Sequence, residues 1–255
     1  MNISVVIPVK DEAESVETLY REIENVLSGL EGLVYEIIFV DDGSSDDTLS
    51  ILGELAADAP SLRVVNHRIN CGQSTAVYTG VHFARHEYIV VLDGDGQNDP
   101  ADIPKLMALF ADAAPDEKLG LVMGNRTDRQ DSFIRKISSR IANSVRAGLL
   151  GDATPDSGCG LKMLPRSLFL KLPFFDHMHR FMPALVVREG YQVRSIPVRH
   201  RHRQAGTSKY GIGNRLWVGI TDLIGVMWLT RRMQRPAAAE TIPSKPQAEK
   251  NELNN

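Results

Sequence analysis

Three aspartates, Asp93, Asp95 and Asp99, fall within seven residues of the stretch VVLDGDGQNDP, which ends an apolar run at Val90–Leu92. Glycines separate the first pair and follow the second. Alternate positions on an extended loop can turn two carboxylates toward one hard cation. Mg2+ or Mn2+ accepts such oxygen ligands, with substrate phosphates completing the coordination. A calcium-binding EF-hand loop does not fit, because counting from Asp93 its required Gly and Glu positions hold Asn98 and Pro104. A helix-capping cluster before Ile103 accounts for Asp99 or Asp102, but not for Asp93 and Asp95 together.

Phosphatases of the haloacid dehalogenase type also begin with a strand and two aspartates at this spacing. Their usual Thr or Val two residues past the second Asp is Gln97 here, which weakens that reading. Two further polar clusters, Lys10–Asp11–Glu12 and Asp41–Asp42–Gly43, also follow apolar runs. Asp42 equally suits a plain turn beside Gly43.

Clusters of this kind need elements to bring them together. Ile3–Ile7, Glu36–Val40, Leu62–Asn66, Tyr88–Leu92 and Leu119–Gly124 read as buried strands. Between them, Asp11–Leu30, Gly72–Arg85 and Asp102–Ala113 have helical patterns. A further helix is expected after Val40, capped by Ser44 or Ser45 with Asp46 and Asp47 in its first turn. Strand–helix alternation with near-continuous apolar strands predicts an α/β fold with a mostly parallel sheet covered on both faces. Ligands in such sheets bind beyond the carboxyl ends of the strands. The three polar clusters should therefore share one rim.

The second half is less regular. Ser132–Leu150 reads as a basic amphipathic helix and Asp156–Gly160 as a loop. Pro165–Leu172 and Met182–Glu189 read as short helices, Gln192–Pro197 as a strand and Gly206–Lys209 as a loop. A last helix is expected over Asn214–Met233, and the polar tail from Pro236 reads as disordered.

The 255 residues are 43% hydrophobic and 24% charged, a globular composition with length for one large domain plus appendages. Cys71 and Cys159 are far apart and read as reduced thiols. The N-terminus has neither the basic region nor the long apolar core of a signal peptide. No apolar run approaches the length of a membrane span. The net charge of −3 hides an asymmetry: residues 1–125 carry −15 and residues 126–235 carry +13. The acidic part suits a cation, and the basic part an anionic partner such as phosphate, a membrane surface or nucleic acid.

In order along the chain, VVIPVKDE, IIFVDDGSSDDT, NCGQSTAVYTG, VVLDGDGQNDP, GNR, RKISSRIAN, DSGCGLKML and RQAGTSKYG resemble the motifs of family 2 glycosyltransferases of GT-A fold. Among these, the likeness is nearest to dolichol-phosphate mannose synthases and their bacterial polyprenyl-phosphate relatives. It covers about residues 2–230. It implies a nucleotide-diphospho-sugar donor, with either GDP or UDP. Pro8, Val9 and Glu12 would line the nucleobase pocket, and Asp41 with Asp42 would contact base or ribose. Asp93 would sit near ribose and metal, with Asp95 and Gln97 as the main ligands of a Mg2+ or Mn2+ ion bridging the two phosphates. Inversion at the anomeric carbon is also implied.

A hydroxyl acceptor needs a general base, usually a carboxylate. Many relatives that use sugar hydroxyls carry Glu-Asp in the second half and a later Gln-x-x-Arg-Trp; neither is present. The nearest acidic loop is Asp156–Ser157–Gly158. A phosphate acceptor is already anionic and needs cations instead. Arg126, Arg135, Ser139 and Arg203 match family positions that hold the acceptor phosphate, with Lys209 as a further candidate. Bidentate guanidinium–phosphate geometry suits that task, although Arg135 alone equally suits a solvated surface. Asp95, Arg126 and Arg203 are the expected catalytic set. His200 and His202 lack further metal ligands and read as loop residues near anionic headgroups.

The segment RLWVGITDLIGVMWLTRRMQR is too short to span a bilayer and carries Asp222. Its tryptophans and arginines suit an interfacial helix, and packing on the protein's own core is the alternative. Several relatives continue into transmembrane helices, whereas this chain stops. The expected organisation is a GT-A domain over 1–210, divided near 125 into nucleotide and acceptor halves, then an interfacial helix over 211–235 and a disordered tail over 236–255. The expected activity is transfer of one glycosyl group to a polyprenyl phosphate at the cytoplasmic face of the membrane, with no nucleic-acid partner. The rivals are transfer to a saccharide hydroxyl, and a non-catalytic nucleotide-sugar-binding subunit awaiting a membrane protein partner.

Overall fold

The computed structural model describes residues 1–114, 116–126, 146–152, 154–201 and 212–233, except for the side chains of 212–218. Strands β1 (Asn2–Val9), β2 (Val34–Asp41), β3 (Leu62–Asn66), β4 (Tyr88–Val91) and β5 (Leu119–Arg126) alternate with helices α1 (Val16–Ser28), α2 (Thr48–Asp58), α3 (Gln73–Phe83) and α4 (Ile103–Ala111). After these come β6 (Lys162–Pro165), the one-turn α5 (Arg166–Phe169), α6 (Met182–Arg188), β7 (Gln192–Val198) and α7 (Ile212–Arg231). Residues 146–150 are also helical. Arg135, Ser139, His202, Arg203, Lys209 and the tail from Pro236 lie outside the described residues. So do the loop expected at Gly206–Lys209 and most of the helix expected at Ser132–Leu150.

One seven-stranded sheet runs in the order β3-β2-β1-β4-β6-β5-β7. β1 pairs in parallel with β2 and β4, β2 with β3, and β5 with β7. β6 alone runs against its neighbours β4 and β5. The carboxyl ends of β1, β2, β4 and β5 therefore meet the amino end of β6 along one rim. The three polar clusters lie on that rim, as their positions after strands require.

The period-2 alternation of the strands divides the core into two layers. Ile3, Val5 and Ile7 of β1, with Ile37 and Phe39 of β2, face α1, α2 and α4. Val6, Ile38 and Val40 face α3, the segment around α5 and α6, and α7. α1 buries Val16, Leu19, Tyr20, Ile23 and Leu27, a stripe at helical spacing. A polar network crosses the second layer: Glu36 accepts from Ser4 Oγ at 2.7 Å, Arg85 N at 2.6 Å and Arg63 Nη1 at 2.6 Å. These donors hold the Glu36 carboxyl below its usual range despite burial.

Two local expectations are corrected. β6 was not expected, because Lys162–Pro165 is short and falls between the loop expected at Asp156–Gly160 and the helix expected from Pro165. It forms because Met163 and Leu164 bury on opposite faces between β4 and β5. α2 begins at Thr48, later than a Ser44 or Ser45 cap implies. Ser44 and Ser45 instead bind the first loop, while Asp46 accepts from Thr48 N at 3.1 Å and Thr48 Oγ1 at 2.5 Å.

Candidate active site

The rim is assembled by side-chain bonds between loops distant in sequence. At the end of β2, Asp41 accepts from Ser44 Oγ, and Ser44 Oγ accepts from Asp11 N at 2.8 Å. Lys10 Nζ donates to Gly43 O at 2.9 Å, and Glu12 N to Thr48 Oγ1 at 2.9 Å. The Lys10–Glu12 loop is thereby fixed against the Asp41–Ser44 turn. Pro8 and Val9 are buried beneath it.

Asp42 points elsewhere. Its oxygens accept from Cys71 N and Gly72 N, each at 2.8 Å, and Oδ1 lies 2.8 Å from His67 Nδ1. It anchors the loop that starts α3. Asp42, His67 and Cys71 place ligand-type atoms within 4.8 Å of one another. Both His67 ring nitrogens already have partners, with Nε2 lying 2.9 Å from Thr79 Oγ1.

The aspartate loop after β4 presses on β1. A side chain at Gly94 would lie 2.5 Å from Val9 Cγ1 and 2.7 Å from Pro8 O, so only glycine allows this approach. Asp93 accepts from Gln73 Nε2 at 2.8 Å, and Gly160 packs so closely that an added Cβ would lie 2.1 Å from Asp93 Oδ2. Burial, then the neighbouring Asp95 charge, push the Asp93 carboxyl up to about 6, against the pull of Lys162, Arg126 and Gln73. Asp95 Oδ1 accepts from Gln97 N at 3.2 Å.

The same loop is clamped from the far end of the chain. Arg201 N donates to Gln97 O at 2.9 Å, and Asn98 forms an isolated antiparallel bridge with His200. Arg201 reaches Glu22 at 2.6 Å and Asp99 at 2.7 Å, while Asp102 accepts from Arg199 N at 2.7 Å. Asp99 also accepts from Ala101 N at 3.0 Å, the expected helix-start bond. His200 lies against the aspartate loop through its bridge with Asn98.

A cavity of about 360 Å³ opens beside Asp93. Its walls include Gln73, Arg126, Asp156, Lys162, His179 and Arg180. Arg126 ends β5 and grips Asp156 with two bonds, Nε to Oδ2 at 2.7 Å and Nη2 to Oδ1 at 2.8 Å. Its Nη1 has no partner among the described residues. Lys162 is buried and bonds to Cys159 O; burial lowers its ammonium pKa, against the pull of Cys159, Asp93 and Asp156. Asp93, Arg126 and Lys162 are thus brought together, on the rim that also carries Pro8, Val9, Glu12, Asp41 and Asp95.

The sequence profile of Glycosyl transferase family 2 matches residues 4–173. The chain belongs to this glycosyltransferase family. A dodecaprenyl-phosphate galacturonate synthase from Rhizobium johnstonii is 36% identical over 242 residues, covering 92% of this chain and 69% of the relative. An undecaprenyl-phosphate 4-deoxy-4-formamido-L-arabinose transferase from Edwardsiella ictaluri is 35% identical over 212 residues, covering 82% of this chain and 63% of the relative. The matched region spans about two thirds of the length of each relative. Glucosyl-3-phosphoglycerate synthase from Mycobacterium tuberculosis, solved with Mn2+, uridine-diphosphate and phosphoglyceric acid, superposes with a TM-score of 0.65 at 20% identity. That match covers 92% of this chain and 80% of that one. It shows the shared GT-A fold, in agreement with the sheet described above.

For a family 2 glycosyltransferase, the donor set at the rim fits a divalent cation. Burial, and then the Asp95 charge, raise Asp93, and a hard cation would stabilise both carboxylates in their charged form. Sequence reading missed the Arg126–Asp156 pair, because its members lie 30 positions apart. It also passed over His179 and Arg180, which sit just before a helix that was found.

Proposed function

We propose that the protein transfers one glycosyl group from a nucleotide-diphospho-sugar to a polyprenyl phosphate, with inversion at the anomeric carbon. One observation carries this reading: the acidic side chain nearest to serving as a general base, Asp156, is held bidentate by Arg126. A carboxylate in such a pair is a poor proton acceptor. The other carboxylate on the cavity wall is Asp93, placed beside Asp95. Among the described residues a hydroxyl acceptor would lack its base, whereas a phosphate acceptor is already a nucleophile at neutral pH. The relatives are named for dodecaprenyl- and undecaprenyl-phosphate, in agreement with this reading.

Asp93, Asp95 and Gln97 would hold Mg2+ or Mn2+, which supplies charge stabilisation to the departing diphosphate. Pro8, Val9, Glu12 and Asp41 receive the nucleoside. Asp42 supports that site through the loop that starts α3. Arg126 offers its Nη1 edge to the acceptor phosphate, joined by Arg135, Ser139, Arg203 and Lys209. Together these residues would position the phosphate for in-line attack.

The protein works at the cytoplasmic face of the membrane, held there by α7. One face of this helix packs on the domain through Val226, Leu223 and Met227. Ile220, Ile224 and Trp228, at i, i+4 and i+8, are exposed, with Arg231 and Arg232 beside them. That pattern suits an interfacial helix with a packed underside. Among the described residues, no helix is long and apolar enough to cross a membrane.

The test offers purified protein a radiolabelled nucleotide sugar with either polyprenyl phosphate or saccharide acceptors. Label is expected in the organic phase with the lipid. Label only in saccharide product would overturn the reading.

A further inference from the structure

The cavity beside Asp93 carries a cation that the mechanism above leaves unused. Arg180 is half-buried on its wall, and its guanidinium has no hydrogen-bond or ion-pair partner among the described residues. Arg126 on the same wall is matched by Asp156, and Lys162 is tied to Cys159 O with Asp93 nearby. The lining therefore holds two carboxylates and three basic side chains, with Arg180 the unmatched one. A half-buried guanidinium without an anion is an open binding position.

The adjoining residue is pre-set as a donor. Ser74 Oγ accepts from His179 N at 3.3 Å and lies 2.7 Å from His179 Nδ1. The Ser74 proton has no other acceptor among the described residues, so it points to Nδ1 and leaves the imidazole proton on Nε2. Burial, then the charges of Lys162, Arg180 and His177, hold the ring neutral. Nε2–H has no protein partner among the described residues, and His179 lines the cavity.

We propose that Arg180 and the His179 Nε2–H form an oxyanion subsite that reads the carboxylate of the transferred sugar, making the donor a nucleotide-linked uronic acid. The inference rests on the transferase reading above and adds the sugar class. Two oxyanions reach such a site, the sugar carboxylate and the acceptor phosphate. The sugar is favoured because one cavity holds both Asp93, the donor-side carboxylate, and Arg126, the acceptor-side cation, and the transferred sugar must lie between donor and acceptor. Arg126, Arg135, Ser139 and Arg203 are already assigned to the acceptor. At about 360 Å³ the cavity falls within the ~300–1,000 Å³ range of small-molecule pockets.

The test compares UDP-galacturonate, UDP-glucuronate and GDP-mannuronate with their neutral hexose counterparts. Binding is measured by calorimetry with Mn2+ present, and transfer to polyprenyl phosphate is measured separately. Wild-type protein is expected to prefer one uronate over its neutral counterpart in both. Arg180→Gln should lower that preference by about 10–100-fold, the effect of losing a charged hydrogen bond. Arg180→Lys should retain part of it. Preference of the wild type for a neutral hexose overturns the inference whether or not the variants fold. So does an Arg180→Gln variant that raises KM for polyprenyl phosphate while leaving the donor ratio unchanged, which would assign Arg180 to the acceptor. Selective uronate binding without transfer supports the subsite and refutes the transferase reading. Absence of both binding and transfer refutes both.

Discussion

His179 should make the fold acid-sensitive in a way that one substitution removes. Burial, with Lys162, Arg180 and His177 around it, pushes the imidazole from 6.5 down to about 3. In the unfolded chain the ring takes up a proton as pH falls through 6.5; in the folded chain it stays neutral until about 3. Protons therefore favour the unfolded state across that window. The stability associated with neutral His179 is complete above pH 6.5 and is lost progressively as pH falls toward 3. Between about pH 7.5 and about pH 5.5 the loss is about 1 kcal/mol, because the folded ring stays neutral across this interval while the unfolded ring takes up its proton. Urea unfolding of wild type and His179→Gln at the two pH values measures it. Wild type should lose about 1 kcal/mol more than the variant over this interval, because contributions from other titrating groups cancel in the comparison. Equal losses in the two proteins would show that His179 titrates normally and would remove the basis for a fixed Nε2–H donor.

Other substitutions probe the rim and the last helix. Asp95→Ala should abolish transfer while leaving the thermal unfolding midpoint within a few degrees of wild type, since Asp95 is partly exposed and bonds only within its own loop among the described residues; normal turnover in that variant would remove Asp95 from the metal site. Gly160→Ala places a methyl 2.1 Å from Asp93 Oδ2 and should eliminate activity at a stability loss of about 1–3 kcal/mol, read by chemical denaturation. Glu36→Ala should destabilise the fold by about 3–5 kcal/mol, because it strands Arg63 and the Arg85 N–H that the carboxylate now satisfies. Replacing both Ile224 and Trp228 by Glu should weaken sedimentation with anionic vesicles at least about tenfold, with unfolding unchanged.

The strand–helix alternation of the first 125 residues was readable because each parallel strand is an apolar run closed by a polar cluster. Leu62–Asn66 was placed to the residue, and the shared rim followed from strand direction alone. Motif order gave the family. Features made by distant contacts were not readable. β6 is only four residues long, and its pairing with β4 exists only in three dimensions. Asp42 reads as a base or ribose contact or as a plain turn residue; in the fold it accepts from Cys71 and Gly72, about 30 positions away. Arg126 reads as a free cation until Asp156 is found beside it. The Arg199–Arg201 clamp on the aspartate loop spans about 100 positions and leaves no local pattern. Asp222 is a charge in an apolar helix by sequence; in the fold it lies 3.4 Å from His177 Nδ1, two residues before His179.

The choice of phosphate over hydroxyl as nucleophile is tested most directly by one lipid in two forms. Purified protein, Mn2+ and a panel of nucleotide sugars are incubated with polyprenyl phosphate or with the free polyprenol of the same chain length, and the lipid products are weighed by mass spectrometry. A product heavier than polyprenyl phosphate by one glycosyl unit is expected, with no product from the polyprenol. Glycosylation of the polyprenol at a comparable rate, or transfer to saccharide hydroxyls with polyprenyl phosphate left unchanged, would contradict it.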